Sequence, residues 1–248
     1  MSTHKKWVIG YFVTFILMII TNYTAGQMGS DVGGTANENE ALIQPAGFAF
    51  SIWGLIYTLV FIWIIYLFFS RKDKSYITER LKFWPIANFI LNGLWIFVFT
   101  QEWLFASIIV IAALLYTLAE IYSSISETNH GWFDRFPFAI YFAWVTLATI
   151  VNIFTWTTGN DIDTVLGMDE LTWTLIVLIV AGLIGITIAL FFKDWVYPLV
   201  LIWPLFGIYA ESGDVSTGLN ITLLAVAAAL LITAVMVIVQ QVKTFKRV

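Results

Sequence analysis

The chain contains no cysteine, which excludes disulfides, iron–sulfur clusters and cysteine nucleophiles. It has only two histidines, His4 and His130, and charged residues make up only 11% of it. Soluble domains carry roughly 25% charged residues. Twelve basic residues over 248 positions are too few and too scattered for a nucleic-acid surface. Apolar and aromatic residues dominate instead: 60% of the chain is hydrophobic, with 21 Phe, 12 Trp and 10 Tyr. This composition is that of an integral membrane protein built from α-helices.

A crossing helix needs about 20 mostly apolar residues. Runs of that kind cover 7–23, 45–69, 83–100, 103–124, 137–156, 171–192, 195–209 and 218–240, which predicts eight transmembrane helices. The run at 195–209 is short and holds Pro198 and Pro204, which should kink it. Pro45, Pro85 and Pro137 each fall in the expected first turn of a helix, where the missing N–H costs nothing.

Charge tests the count independently. With the N-terminus inside, the inner segments hold Lys5, Lys6, Arg71, Lys72, Lys74, Arg80, Lys82, Arg135, Lys193, Lys243, Lys246 and Arg247, all twelve basic residues. The outer segments hold none, yet they contain Asp31, Glu38, Glu40, Glu102, Asp161, Asp163, Asp169, Glu170, Glu211 and Asp214. The expectation is a multi-pass protein of the cell membrane, both termini cytoplasmic, with the lipid bilayer as its surroundings.

Asn88, Asn92, Trp95 and Phe99 in NFILNGLWIFVF are spaced to share one helix face. At about 1.5 Å per residue, three helices place aromatic, amide and small residues at overlapping depths. These are Phe50, Trp53 and Tyr57; Asn92, Trp95 and Phe99; and Trp144, Ala148 and Asn152. Polar groups at that depth face protein or a water-filled cavity. The nine residues are the candidate ligand site, a pocket suited to a flat hydrophobic small molecule. Asn88 lies nearer the inner end and is expected to tie its helix to a neighbour.

Three stretches resemble motifs of the TspO/MBR family, the tryptophan-rich sensory proteins. They are QPAGFAFSIWGLIY (44–57), NFILNGLWIFVF (88–99) and YFAWVTLATIVN (141–152), in family order. The resemblance covers 7–157 and implies a five-helix bundle with a cavity under the first outer loop. It also implies binding of porphyrins and related tetrapyrrole-like ligands, with a role in sensing or transport. Two positions depart from the family pattern: Ile140 stands where a proline is usual and Phe48 where a tryptophan is common. The sterol-recognition pattern that follows the fifth helix in animal members is missing after Trp156. The domain expectation is therefore 1–158 as a five-helix membrane domain and 159–248 as a three-helix extension, suited to stabilisation or homodimer contact.

No catalytic residue and no metal site emerges from the chain. His4 sits in the tail and His130 in an inner loop, and there is no HExxH. A haem would find only Met18 as a candidate axial group, so a porphyrin held by stacking fits better, and no cofactor is obligatory. No lysine lies within a span, which excludes a retinal Schiff base. Three classes stay open at this point. The first is a sensor or carrier. The second is a secondary transporter using Glu120 and the proline-kinked seventh span. The third is a light-dependent porphyrin-degrading enzyme in which Trp95 and Trp144 do the photochemistry.

Overall fold

The computed structural model describes residues 2–28, 32, 34–35, 41–70, 74–128, 130–162, 164–212 and 214–245. Nine helices are named below: α1 (Thr3–Met28), α2 (Ile52–Phe69), α3 (Ser75–Leu81), α4 (Trp84–Thr100), α5 (Leu104–Ser126), α6 (Trp132–Thr158), α7 (Glu170–Phe192), α8 (Val196–Ser212) and α9 (Thr217–Phe245). A 3₁₀ turn, Gly47–Ser51, precedes α2. A small hairpin, β1 (Thr164–Val165) and β2 (Met168–Asp169), precedes α7.

Each expected apolar run contains a helix, and the protein is an all-α integral membrane protein. Among the described residues, length and hydropathy qualify six helices as spans, or seven if α3 and α4, bent by 58°, form one broken span. The expected count of eight is not confirmed: α8 is apolar but, at the short end of the spanning range of about 17 to 25, has only 17 residues. At 1.5 Å per residue that is about 25 Å, short of a hydrocarbon core of about 30 Å. The α3–α4 break has local causes: Lys82 lies in the left-handed region (φ 45°), and Pro85 opens α4.

Element bounds depart from expectation at two prolines. Pro45 lies outside any helix, and the next residue, Ala46, donates its N–H to the Gly207 carbonyl. Pro137 lies inside α6 because that helix starts earlier, at Trp132. The first helix also runs past its expected end to Met28. Of the long outer loop expected after it, 29–31, 33 and 36–40 lie outside the described residues, as do Arg71, Lys72, Asp163, Lys246 and Arg247.

The chain divides into two compact units, 1–38 with 52–145 and 39–51 with 146–248. In the first, α4 packs between α1 and α5. Its core is aromatic: Tyr11 stacks on Trp63 at 6.1 Å, and Trp63 meets Phe138 edge-on at 4.8 Å. Asn88 ties α4 to α5 by donating to Thr117 Oγ1 at 2.9 Å. Near the ends of these helices Lys74 and Asp134 form a buried ion pair at 2.8 Å, and Asp134 Oδ2 also accepts from the Gly131 N–H. Leu17, Ile90 and Ile109 stay exposed, as side chains facing lipid do.

In the second unit, α7, α8 and α9 pack on one another through small residues. A Cβ at Gly182 would lie 2.7 Å from Val226 Cγ1, and one at Gly185 would lie 2.7 Å from Leu230 Cδ2. Segment 41–51 is held against α8. Ser212 Oγ donates to the Leu42 carbonyl, Trp203 Nε1 donates to the Ala49 carbonyl, and Phe48 packs edge-on against Trp203 at 5.5 Å. Asp194 sits at the α7–α8 corner, where its Oδ1 accepts from the Val196 and Tyr197 N–H groups.

Candidate functional site

Four helices of the first unit bring polar and aromatic side chains to one place. Helix α2 supplies Trp53 and Tyr57, four residues apart on one face. Helix α4 supplies Asn92, Trp95 and Phe99, α6 supplies Tyr141 and Trp144, and α1 supplies Asn22. Trp53 is the centre. Its ring lies 5.5 Å from Tyr57, 5.6 Å from Trp95, 5.8 Å from Tyr141 and 6.2 Å from Trp144. The Tyr141 and Trp144 contacts are edge-on, and Trp95 continues to Phe99 at 5.5 Å. Such pairs contribute about 0.5–1.5 kcal/mol each beyond their buried area.

Amides and phenols form a chain beside these rings. Asn92 Nδ2 donates to the Tyr141 hydroxyl at 2.7 Å. Its Oδ1 accepts from the Tyr57 hydroxyl and from Asn22 Nδ2, both at 3.1 Å. Asn22 Nδ2 also reaches the Tyr57 oxygen at 2.9 Å. Asn92 is thus a hub joining three other helices, with both ends of its amide engaged.

The Trp53 indole N–H and Asn22 Oδ1 are buried and have no hydrogen-bond partner among the described residues. An unpaired buried donor or acceptor costs about 1–3 kcal/mol. One donor and one acceptor are therefore open to a molecule that carries both complements and a flat apolar body.

Of the nine expected site residues, the first unit gathers Trp53, Tyr57, Asn92, Trp95, Phe99 and Trp144. Phe50, Ala148 and Asn152 belong to the second unit: Phe50 in the 3₁₀ turn, Ala148 and Asn152 further along α6. Asn152 is buried, while Phe50 and Ala148 are half-buried. Sequence reasoning passed over Asn22 and Tyr141. Tyr141 opens a quoted motif, and a deep phenol needs a partner for its hydroxyl. Asn22 was masked by its place near the end of an apolar run.

Neither histidine belongs to the cluster, and among the described residues no three His, Cys, Asp or Glu side chains group as metal ligands. Met18, the one soft candidate, is buried on α1. Glu120 is half-buried on α5 and takes no part in the hydrogen bonds of the cluster.

No curated protein and no solved structure matches the chain. The family model described as TSPO-like protein matches residues 7–238, a range that includes the last three helices as well as the first six. A match over nearly the whole chain, on top of the three motifs, makes this protein a member of the TSPO-like protein family.

Proposed function

We propose that the protein binds a flat, largely apolar ligand of the tetrapyrrole class within its first unit and acts as a sensor or carrier for it. The observation that carries this reading is the Trp53 cluster. Four aromatic side chains from three helices surround one indole whose buried N–H has no partner. A free-base porphyrin supplies what the cluster asks for: a π-face for the rings, an acceptor for the Trp53 N–H and a pyrrole N–H for Asn22 Oδ1. The rings touch one another in this structure, so binding exchanges ring–ring contacts for ring–ligand contacts. Asn92 serves the site by holding Tyr57 and Tyr141, two of the rings against Trp53.

The same reading places the protein in the cell membrane with both termini cytoplasmic, which the one-sided distribution of all twelve basic residues supports.

The test is a titration of free-base protoporphyrin into the purified protein in neutral detergent, read by tryptophan fluorescence. Saturable quenching in the dark with an unchanged porphyrin spectrum supports binding. Quenching no greater than that of free tryptophan in the same micelles contradicts it. Loss of the porphyrin absorbance bands only in light and only with protein would assign turnover to the same site.

A further inference from the structure

A second concave site lies in the second unit, away from any residue of the Trp53 cluster in the chain division. It is a cavity of about 360 Å³, within the size range of small-molecule sites. Phe154 and Trp156 of α6, Val165 and Met168 of the hairpin, and Trp173 of α7 line it, together with Glu170. Ile162 and Val165 in the lining are more than one-third exposed, so the cavity opens at the surface.

The hairpin is fixed over this space. Leu166 and Gly167 form its two-residue turn, both at positive φ (53° and 76°), as primed hairpin turns require. The Trp173 indole N–H donates to the Val165 carbonyl at 2.7 Å, which orients the ring and ties β1 to α7.

Glu170 is the one charged residue of the lining. Its Oε1 accepts the Leu42 N–H at 2.7 Å, a bond that fixes the carboxylate without neutralising it. Among the described residues the ion pairs are Lys74–Asp134 and Arg80–Glu127, so Glu170 has no cationic partner. None is near in sequence either: from 136 to 192 there is no Lys or Arg, while Asp161, Asp163, Asp169 and Glu170 all fall there. The partial positive charge at the α7 N-terminus is met by Asp169, whose Oδ1 accepts the Thr172 N–H at 2.9 Å. An apolar cavity with two indoles, one fixed carboxylate and no basic residue is complementary to a cation on an apolar body.

We propose that this cavity binds a soluble lipophilic organic cation, its apolar body against Trp156 and Trp173 and its charged centre at Glu170. The site is independent of the Trp53 cluster and takes a different ligand class.

Tetraphenylphosphonium and tetraphenylborate, nearly the same shape with opposite charge, provide the probe pair. Equilibrium dialysis of each against the full-length protein in neutral detergent, with empty micelles as reference, reads binding directly. Saturable uptake of tetraphenylphosphonium is expected, with none of tetraphenylborate. Glu170→Gln keeps an acceptor for Leu42 and removes the charge; it should weaken binding by roughly tenfold or more. Val177→Trp should fill the cavity and abolish binding, and Trp53→Phe should leave it unchanged. Equal uptake of the two probes, or unaltered affinity in Glu170→Gln, overturns the proposal. Complete displacement of the cation by added phosphatidylcholine would assign the cavity to a lipid headgroup and overturn it as well.

Discussion

The amide of Asn92 donates to the Tyr141 hydroxyl at 2.7 Å while its oxygen accepts from Tyr57 and Asn22. One side chain on α4 therefore sets the position of groups on α1, α2 and α6. Replacing it with leucine strands the Tyr141 hydroxyl and takes an acceptor from Tyr57 and Asn22, which keep only their bond to each other; each group left unpaired costs about 1 kcal/mol or more. Asn92→Leu should lower the melting temperature in detergent clearly. Asn88→Leu should not: it loses one bond, to Thr117, whose hydroxyl still donates to the Leu114 carbonyl, and it removes an Oδ1 that is buried without a partner. Its cost should stay near the average of about 0.6 kcal/mol for hydrogen bonds between membrane helices. Equal destabilisation by the two changes would contradict the hub role of Asn92.

Lys74 and Asp134 pair in a site where the lysine is 6% and the aspartate 0% exposed. Burial works against the ammonium, but hydrogen bonds to Asp134, Tyr76 and Tyr66 and the Asp134 charge outweigh it, so the lysine pKa is raised. A raised lysine pKa contributes stability that is fully present below the ordinary lysine value and is lost as pH rises through the folded one. Stability from this pair should thus be flat through neutral pH and decline only in strong alkali. Lys74→Met removes the cation facing Asp134, which keeps its bond from the Gly131 N–H, and should cost roughly 3 kcal/mol or more. Thermal melts of both proteins from neutral to alkaline pH check this; a Lys74→Met variant as stable as the parent would refute it.

Gly207 sits where the loop before α2 crosses α8. A Cβ there would lie 2.8 Å from Pro45 Cβ and 3.0 Å from Ala49 Cβ, closer than such atoms approach. Gly207→Leu should destabilise by about 1–3 kcal/mol through overpacking. Trp203→Phe, which keeps the ring against Phe48 but loses the bond to the Ala49 carbonyl, should cost about 1 kcal/mol. Limited proteolysis should show earlier cutting within 41–51 in both variants, and unchanged cutting would count against the clamp.

Much of the architecture is readable from hydropathy alone, because helices in lipid must be apolar over their length. The ends are less readable. Pro45 lies outside its helix because Ala46 is drawn to the Gly207 carbonyl, and no local pattern announces a partner so distant in the chain. The site was legible as depth but not as direction. Spacing within α4 put Asn92, Trp95 and Phe99 on one face, yet what Asn92 touches depends on how α1, α2 and α6 turn toward it. That is why Asn22 and Tyr141 were missed. The Lys74–Asp134 pair was hidden for the same reason, both residues reading as ordinary loop charges.

Sidedness can be read from single cysteines in this cysteine-free chain. Asn160 and Ser2 are both exposed. An impermeant maleimide on intact cells should label Asn160→Cys and leave Ser2→Cys unlabelled until the cells are opened. The reverse pattern would invert the proposed orientation.

Trp53→Phe tests the ligand site most directly. Phenylalanine keeps an aromatic ring at this position and removes the indole N–H, which is buried and unpartnered in the structure, together with part of the bicyclic ring. Relief of the unsatisfied donor offsets the space left by the smaller ring, so the melting temperature of the ligand-free protein should change little. Affinity for free-base protoporphyrin, measured by quenching of the remaining tryptophans, should fall by about 1 kcal/mol or more, the scale of one lost hydrogen bond. A variant that binds the porphyrin as tightly as the parent would contradict the account, because the ligand would then not be meeting Trp53.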